Sequence, residues 1–205
     1  RSDNLLIEVS ACAICGTDLR TYRHGSSHIS PPRITGHEVT GVVEHVGSEV
    51  EAYSVGQRVR VVPAIGCGTC RACRKGYTNL CENLETIGFQ YDGGFAGHMA
   101  VPPRAIRMGN VLSLPEEADP VSTALAEPIA CVMNGQELLG IESGDIVVIF
   151  GSGFIGCMHA ELALIAGAAR VHMIEISDSR GAMAREYLDN KAVEVVNPGE
   201  GRAVD

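Results

Sequence analysis

The sequence predicts an α/β protein in two parts: a small barrel-like β domain over residues 1–125, then a parallel β-α-β-α-β unit over residues 126–205. Two observations carry this. Up to about residue 115 the chain shows short apolar strands punctuated by Gly and Pro, with no helical periodicity. From Asp119 onward, Ala- and Leu-rich helical segments alternate with wholly apolar strands.

In chain order, Leu5–Val9 reads as a short apolar strand, and Val39–Val46, broken by Gly41, as a second. Gly56–Val61 alternates polar and apolar residues as a half-buried strand does, and Gly93-Gly94 opens another through Phe95 to Val101. Asp119-Pro120 is a helix start, a capping side chain followed by Pro at the first helical position, for a helix running to Leu139. Ile146–Phe150 is the fully apolar kind of strand buried in parallel sheets. A Gly-rich turn, a helix over 154–166, a strand at Val171–Ile174, a helix at Ser179–Leu188 and a strand at Val193–Val196 come next. With three parallel strands the first keeps an unpaired apolar edge, so the sequence is expected to be part of a longer polypeptide. A start without Met points the same way.

A formal charge of -9 and the lack of any Lys/Arg run argue against nucleic acid or an anionic membrane as partner. No apolar run reaches a membrane-spanning length, and the first residues lack a signal-peptide pattern. Of eight cysteines, four crowd into 67–81 at short spacings, which suits a metal in a reducing, cytoplasmic setting better than disulfides. Cys12, Cys131 and Cys157, among apolar or small residues, are expected to be packed thiols.

Three motifs carry chemistry. Cys67, Cys70, Cys73 and Cys81 form C-x2-C-x2-C-x7-C, four thiolates on one loop, as a closed structural zinc requires. A ferredoxin-type cluster opens the same way, but its fourth Cys comes after three residues and precedes Pro; here the gap is seven and Glu82 comes next. Gly151, Gly153 and Gly156 spell G-x-G-x-x-G between a strand and a helix, with Phe154 and Ile155 on the same turn. That is the setting in which a backbone cradles a pyrophosphate. Glu175 ends the next strand 24 residues after Gly151, placed to accept from both ribose hydroxyls of NAD and to repel a 2′-phosphate. Finally, C-G-T-D at 15–18 and G-H-E at 36–38 set a thiolate and an imidazole each before a carboxylate. Taken singly, Cys15, His37 and Glu38 read as a core thiol, a core histidine and a surface acid. Together with the other two motifs they read as an open catalytic zinc site. Its third protein ligand is either Glu38 or Glu127, the latter in the interdomain A-E-P-I, and the sequence leaves both open.

As a set, C-G-T-D, G-H-E-x-x-G-x-V, the four-Cys lobe, Gly93-Gly94-Phe95-Ala96, Glu127-Pro128 and the Gly turn resemble the zinc-dependent medium-chain dehydrogenase/reductase family, nearest its sorbitol/L-iditol (polyol) branch. The resemblance implies a GroES-like catalytic domain followed by the first half of a Rossmann domain. It implies an enzyme passing hydride from a secondary alcohol to NAD, with Cys15, His37 and a carboxylate on the catalytic zinc. By the same resemblance Thr17 bonds the substrate oxygen and passes on its proton, and Asp18 orients the zinc-bound histidine. Where many relatives carry a relay histidine this chain has Arg20, which cannot shuttle a proton. His24, a water chain, or an anion-binding role for Arg20 are the alternatives. The resemblance further implies a small alcohol or polyol substrate and a homodimeric or homotetrameric full-length protein. Threonine-dehydrogenase-like and sugar-phosphate enzymes are rival activities, and a non-catalytic zinc-binding fragment is the rival of another class.

Overall fold

The computed structural model describes residues 2–189 and 191–200. Contacts gather the chain into two units, Arg1–Glu127 and Pro128–Asp205. No helix among the described residues is long and apolar enough to cross a membrane.

The first unit opens with β1 (Leu5–Ala13), α1 (Gly16–His24), β2 (Glu38–Val46), β3 (Arg58–Val61), β4 (Ala64–Ile65) and α2 (Arg71–Arg74). It continues with β5 (Glu85–Thr86), β6 (His98–Val101), α3 (Pro103–Arg107), β7 (Val111–Ser113) and α4 (Pro120–Ala124). Five strands form an antiparallel sheet in the order β6-β1-β2-β3-β7, and β4 pairs with β5 as a separate ribbon. Side chains alternate across the pleat, so Leu5 and Ile7, Val59 and Val61, and Met99 and Val101 are buried while Glu8, Arg58 and His98 face out. Each fully buried Val, Leu or Ile contributes about 1.5–3 kcal/mol relative to exposure. The register brings two distant positions side by side: Ala13, the last residue of β1, pairs with Glu38, the first of β2.

Three helices interrupt the region expected to lack them. The helix α1 contains no buried residue, so it has no apolar stripe to betray it. Its signal was the cap instead: Asp18 Oδ2 accepts from the Cys15 backbone N–H at 2.9 Å, closing a capping box at the helix start. The helices α2 and α3 are single turns, too short for periodicity to register. The strand expected from Gly93 begins only at His98; Gly93, Gly94 and Phe95 instead donate their N–H groups to the carbonyls of Ile34, Gly36 and Thr35 at 2.8–3.0 Å. The helix predicted from Asp119 is split into α4 and α5 (Ala126–Leu139), with the Asp119 carboxylate accepting from Ser122 N at 2.7 Å. Buried Thr40 donates its hydroxyl to Pro120 O at 3.0 Å, tying α4 to β2.

The second unit takes up α5 at Pro128 and adds β8 (Ile146–Phe150), α6 (Phe154–Ile165), β9 (Arg170–Ile174), α7 (Asp178–Tyr187) and β10 (Val193–Val196). The three strands are parallel in the order β10-β9-β8. Ala160 and Ala163 on α6 are fully buried with Val171 and Met173 of β9, their small size letting helix and sheet approach closely. The strand β8 departs from its expected full burial. Val147 and Ile149 pack on this core, but Ile146, Val148 and Phe150 are 67%, 51% and 83% exposed, since β8 sits at the sheet edge with one face covered. Cys131 also departs from expectation. It is exposed because the buried stripe of α5 runs through Pro128, Val132 and Gln136, a spacing of four that leaves Cys131 to the side.

Candidate metal centres and dinucleotide turn

The antiparallel register explains why residues far apart in sequence meet. Because Ala13 pairs with Glu38, the N-cap of α1 at Cys15 lies beside the start of β2, and ligand atoms of Cys15, His37 and Glu38 all fall within 4.8 Å of one another. Asp18 serves both arms: Oδ2 holds the Cys15 N–H, and Oδ1 stands 3.7 Å from His37 Nδ1. That ring nitrogen is buried without a hydrogen-bond partner, and Phe89 packs edge-on to the ring with centroids 6.0 Å apart. Burial, then the charge of Glu127, raises the Glu38 carboxyl above its ordinary range, while His37 and a hydrogen bond from the Cys15 thiol work the other way. A thiol, an imidazole short of a partner and crowded carboxylates fit a dication in that space. Glu127 acts on Glu38 through its charge but stands outside the three-ligand group. Thr17 lies in the first turn of α1, two residues after Cys15.

Sequence reasoning missed the brace behind His37. The Gly93–Phe95 segment is laced to Ile34–Gly36, and a side chain at Gly93 would overlap the Gly36 carbonyl oxygen. Asp92 adds an ion pair to Arg33 at 2.9 Å and accepts from Ile34 N at 3.1 Å. The Cys12 thiol fills the space beside Gly36 and Gly94, and burial pushes its pKa up to about 12, so it stays a neutral packing group. The adjacent glycines were the one visible sign of this contact.

In the lobe, the four sulfurs of Cys67, Cys70, Cys73 and Cys81 also lie within 4.8 Å of one another, with Cys67–Cys73 at 4.0 Å and Cys70–Cys81 at 3.9 Å. A tetrahedron of 2.3 Å Zn–S bonds has edges of about 3.8 Å, so the cage matches one zinc; a disulfide needs about 2.05 Å. Donors point at the sulfurs: Cys81 accepts from the backbone N–H groups of Cys67 and Asn83, and Cys70 from that of Cys73. The Thr69 hydroxyl, with the Thr69 and Cys70 N–H groups, lowers Cys67 to about 5, whereas burial holds Cys73 near 11. A thiolate beside a thiol is an arrangement that a dication completes by displacing the proton.

In the second unit, Gly153 N-caps α6 with extended backbone, and Gly156 sits so close to Gly151 that any Cβ would overlap the Gly151 carbonyl oxygen. Phe154 and Ile155 open α6 and are 54% and 46% exposed at the turn. Glu175 is buried at the end of β9: Oε2 accepts from Ser152 N at 2.8 Å and Oε1 from Ser177 N at 2.8 Å. Those donors, with Arg180 nearby, hold its carboxyl below the ordinary range, so an anion is fixed beside the Gly turn.

The model of the alcohol dehydrogenase GroES-like domain matches residues 1–116. The chain is 39% identical to D-altritol 5-dehydrogenase of Agrobacterium fabrum, over 88% of this chain and 53% of that protein. It is also 39% identical to L-threonine 3-dehydrogenase of Pyrococcus abyssi, over 96% of this chain and 55% of that one. A crystal structure from Sinorhizobium meliloti 1021, of a protein named as a zinc-binding dehydrogenase and bound to NADP, superposes with a TM-score of 0.85 at 39% identity, covering 98% of this chain and 56% of that one. The chain thus spans about half the length of the relatives it matches. By the GroES-like match and the company of polyol and threonine dehydrogenases, the chain belongs to the zinc-dependent medium-chain dehydrogenase family.

Proposed function

We propose that the protein carrying this chain is a zinc- and NAD-dependent dehydrogenase that removes hydride from a secondary alcohol of a polyol or sugar alcohol. The observation that carries this is the convergence of the ligand atoms of Cys15, His37 and Glu38 within 4.8 Å, with Thr17 in the first turn of the helix that Cys15 caps. In this reading residues 1–125 form the catalytic domain and residues 126–205 the first half of the Rossmann domain. When bound, the metal supplies Lewis acidity at the substrate's hydroxyl oxygen and the dinucleotide supplies the hydride acceptor. Cys15, His37 and Glu38 hold the catalytic ion, and Asp18 keeps the His37 ring oriented. Thr17 accepts the substrate's hydroxyl proton as it gives up its own; a water chain, or His24 two turns further along α1, carries the proton outward in this reading. Cys67, Cys70, Cys73 and Cys81 hold the structural ion. Gly151, Gly153 and Gly156, with Phe154 and Ile155, form the dinucleotide turn, and Glu175 receives the ribose hydroxyls. Four cysteines gathered in one lobe without a disulfide suit a reducing compartment such as the cytoplasm. The full-length protein is a homodimer or homotetramer in this reading.

The test is NADH formation by the full-length protein with altritol and other polyols, together with a fluorescence titration with NADH. A folded protein that binds no NADH and turns over no alcohol is a zinc-binding structural protein instead. Two substitutions refine the site. Glu38→Gln is expected to lower zinc occupancy at the catalytic site and cut kcat/KM by about 100-fold, as loss of a ligand does, while Glu127→Gln keeps the zinc. The reverse outcome assigns the third ligand to Glu127. Glu175→Ser is expected to raise the NADPH-to-NADH affinity ratio by about tenfold, by removing the charge that opposes a 2′-phosphate. An unchanged ratio in the titration removes Glu175 from the ribose site.

A second reading rests on Arg20. It is an exposed cation three residues after Thr17 on the same face of α1, a position suited to a substrate's carboxylate or phosphate. Threonine or a polyol phosphate outperforming the neutral polyol in the same assay favours it.

A further inference from the structure

We propose that Arg104 is a positioning residue that holds the four-cysteine lobe shut, so that the cage stands assembled for zinc and is slow to release it. This rests on reading the lobe as the structural zinc site. Apart from one bond from Cys67 N to Cys81 Sγ and one from Ile87 N to Pro63 O, both at 3.1 Å, backbone pairing at the mouth of that loop is short. The backbone enters the lobe from β4 and leaves it into β5, but that ribbon has only two residue pairs, Ala64 with Thr86 and Ile65 with Glu85. So short a ladder is marginal on its own. No residue of α2 or of the turn at Thr78–Leu80 is buried, so the lobe has little core to close it either.

Arg104, in the first turn of α3, supplies what the ribbon lacks. Its Nε donates to Gly66 O at 2.9 Å, immediately before Cys67, and its Nη2 donates to Asn83 O at 2.6 Å, two residues after Cys81. Nη2 also reaches Ile65 O at 3.3 Å. One planar guanidinium therefore bonds both strands of the loop just beyond the point where their own ladder stops. A second contact fixes the guanidinium: Nη1 pairs with Glu85 Oε2 at 2.6 Å, and the Tyr91 hydroxyl donates to the same oxygen at 2.6 Å. The fork geometry is what allows one side chain to do this, and a lysine ammonium, a point donor, cannot span both carbonyls and Glu85 together. Clipping the ends of the loop lowers the entropy lost when four thiolates gather round an ion, and the cage reopens only when the bonds to Gly66 O and Asn83 O break, which slows release.

The test tracks zinc released from the full-length protein to an excess of chromogenic chelator, in the Cys15→Ser background so that the lobe's zinc is counted alone, with circular dichroism recorded in parallel. Arg104→Met is expected to release zinc at least tenfold faster, ahead of any loss of dichroism, while Glu85→Gln, which leaves the two carbonyl bonds in place, stays within about threefold of the parent. Arg104→Lys is expected to fall between Arg104→Met and Glu85→Gln, and it decides the matter if Arg104→Met does not fold. Release from Arg104→Met at the parental rate, zinc and dichroism lost together, or Glu85→Gln matching the Arg104 variants each overturns the clip. A parent protein whose lobe holds no zinc overturns the zinc reading itself; a parent that holds zinc tightly beside an equally tight Arg104→Met overturns the clip alone.

Discussion

Cys15→Ser is expected to leave the full-length protein folded with one zinc instead of two, and to lower kcat/KM by at least about 10³-fold. Serine is among the best N-cap residues, and the bond from the Cys15 backbone N–H to Asp18 does not involve the side chain, so α1 keeps its start. What is lost is the thiolate. A serine hydroxyl stays protonated at neutral pH and is a poor zinc ligand, which leaves His37 and Glu38 to hold the ion alone. Elemental analysis, a thermal melt and a steady-state assay on the same preparation check the three parts. A variant that keeps both zinc ions and full turnover removes Cys15 from the chemistry.

The second large effect is expected at the Gly turn, where two glycines act for different reasons. Gly156→Ala places a methyl against the Gly151 carbonyl oxygen and 3.0 Å from the Gly151 carbonyl carbon. Both neighbours are backbone, so α6 must move off the turn, at a cost of about 1–3 kcal/mol and at least about a 100-fold loss of NADH affinity. Gly153→Ala meets nothing within 4 Å and has no positive φ, so its melting temperature is expected to be unchanged. Its NADH affinity falls all the same, because the space it fills is where a pyrophosphate approaches the backbone. Fluorescence titration and a melt on both variants separate the two roles. Equal melting temperatures together with wild-type affinities end the case for this turn as the dinucleotide site.

Legibility of the chain tracked how local each feature is. The gathering of Cys67, Cys70, Cys73 and Cys81 was readable because all four lie on one loop, where spacing alone restricts the geometry. The strands of the second unit were readable because wholly apolar runs between Gly-rich breaks have few other solutions, and Val193–Val196 has the predicted bounds. The helix α1 was not readable from periodicity, since it buries nothing and depends on a cap formed by Cys15 and Asp18. The convergence of Cys15, His37 and Glu38 needs a long-range fact, the pairing of Ala13 with Glu38, that no local pattern encodes. The same holds for Arg104, whose partners Gly66 and Asn83 lie 38 and 21 residues away. An arginine in an ordinary short helix gives no sign of bonding two carbonyls across a loop.

The pairing of Ala13 with Glu38 has a thermodynamic consequence for any ion that Cys15, His37 and Glu38 would hold together. Strand side chains alternate, so a shift of one residue between β1 and β2 would turn Glu38 to the opposite face and disperse the three ligands. An ion that binds only the aligned ladder stabilises that ladder by mass action, by about 2.7 kcal/mol when free metal stands at 100 times its dissociation constant. Metal affinity and the stability of the β1–β2 pairing are then two measures of one equilibrium. A substitution deep in the sheet, touching no ligand, weakens the metal to the extent that it loosens the pairing, and a tightly held metal reports a sheet that is correctly aligned.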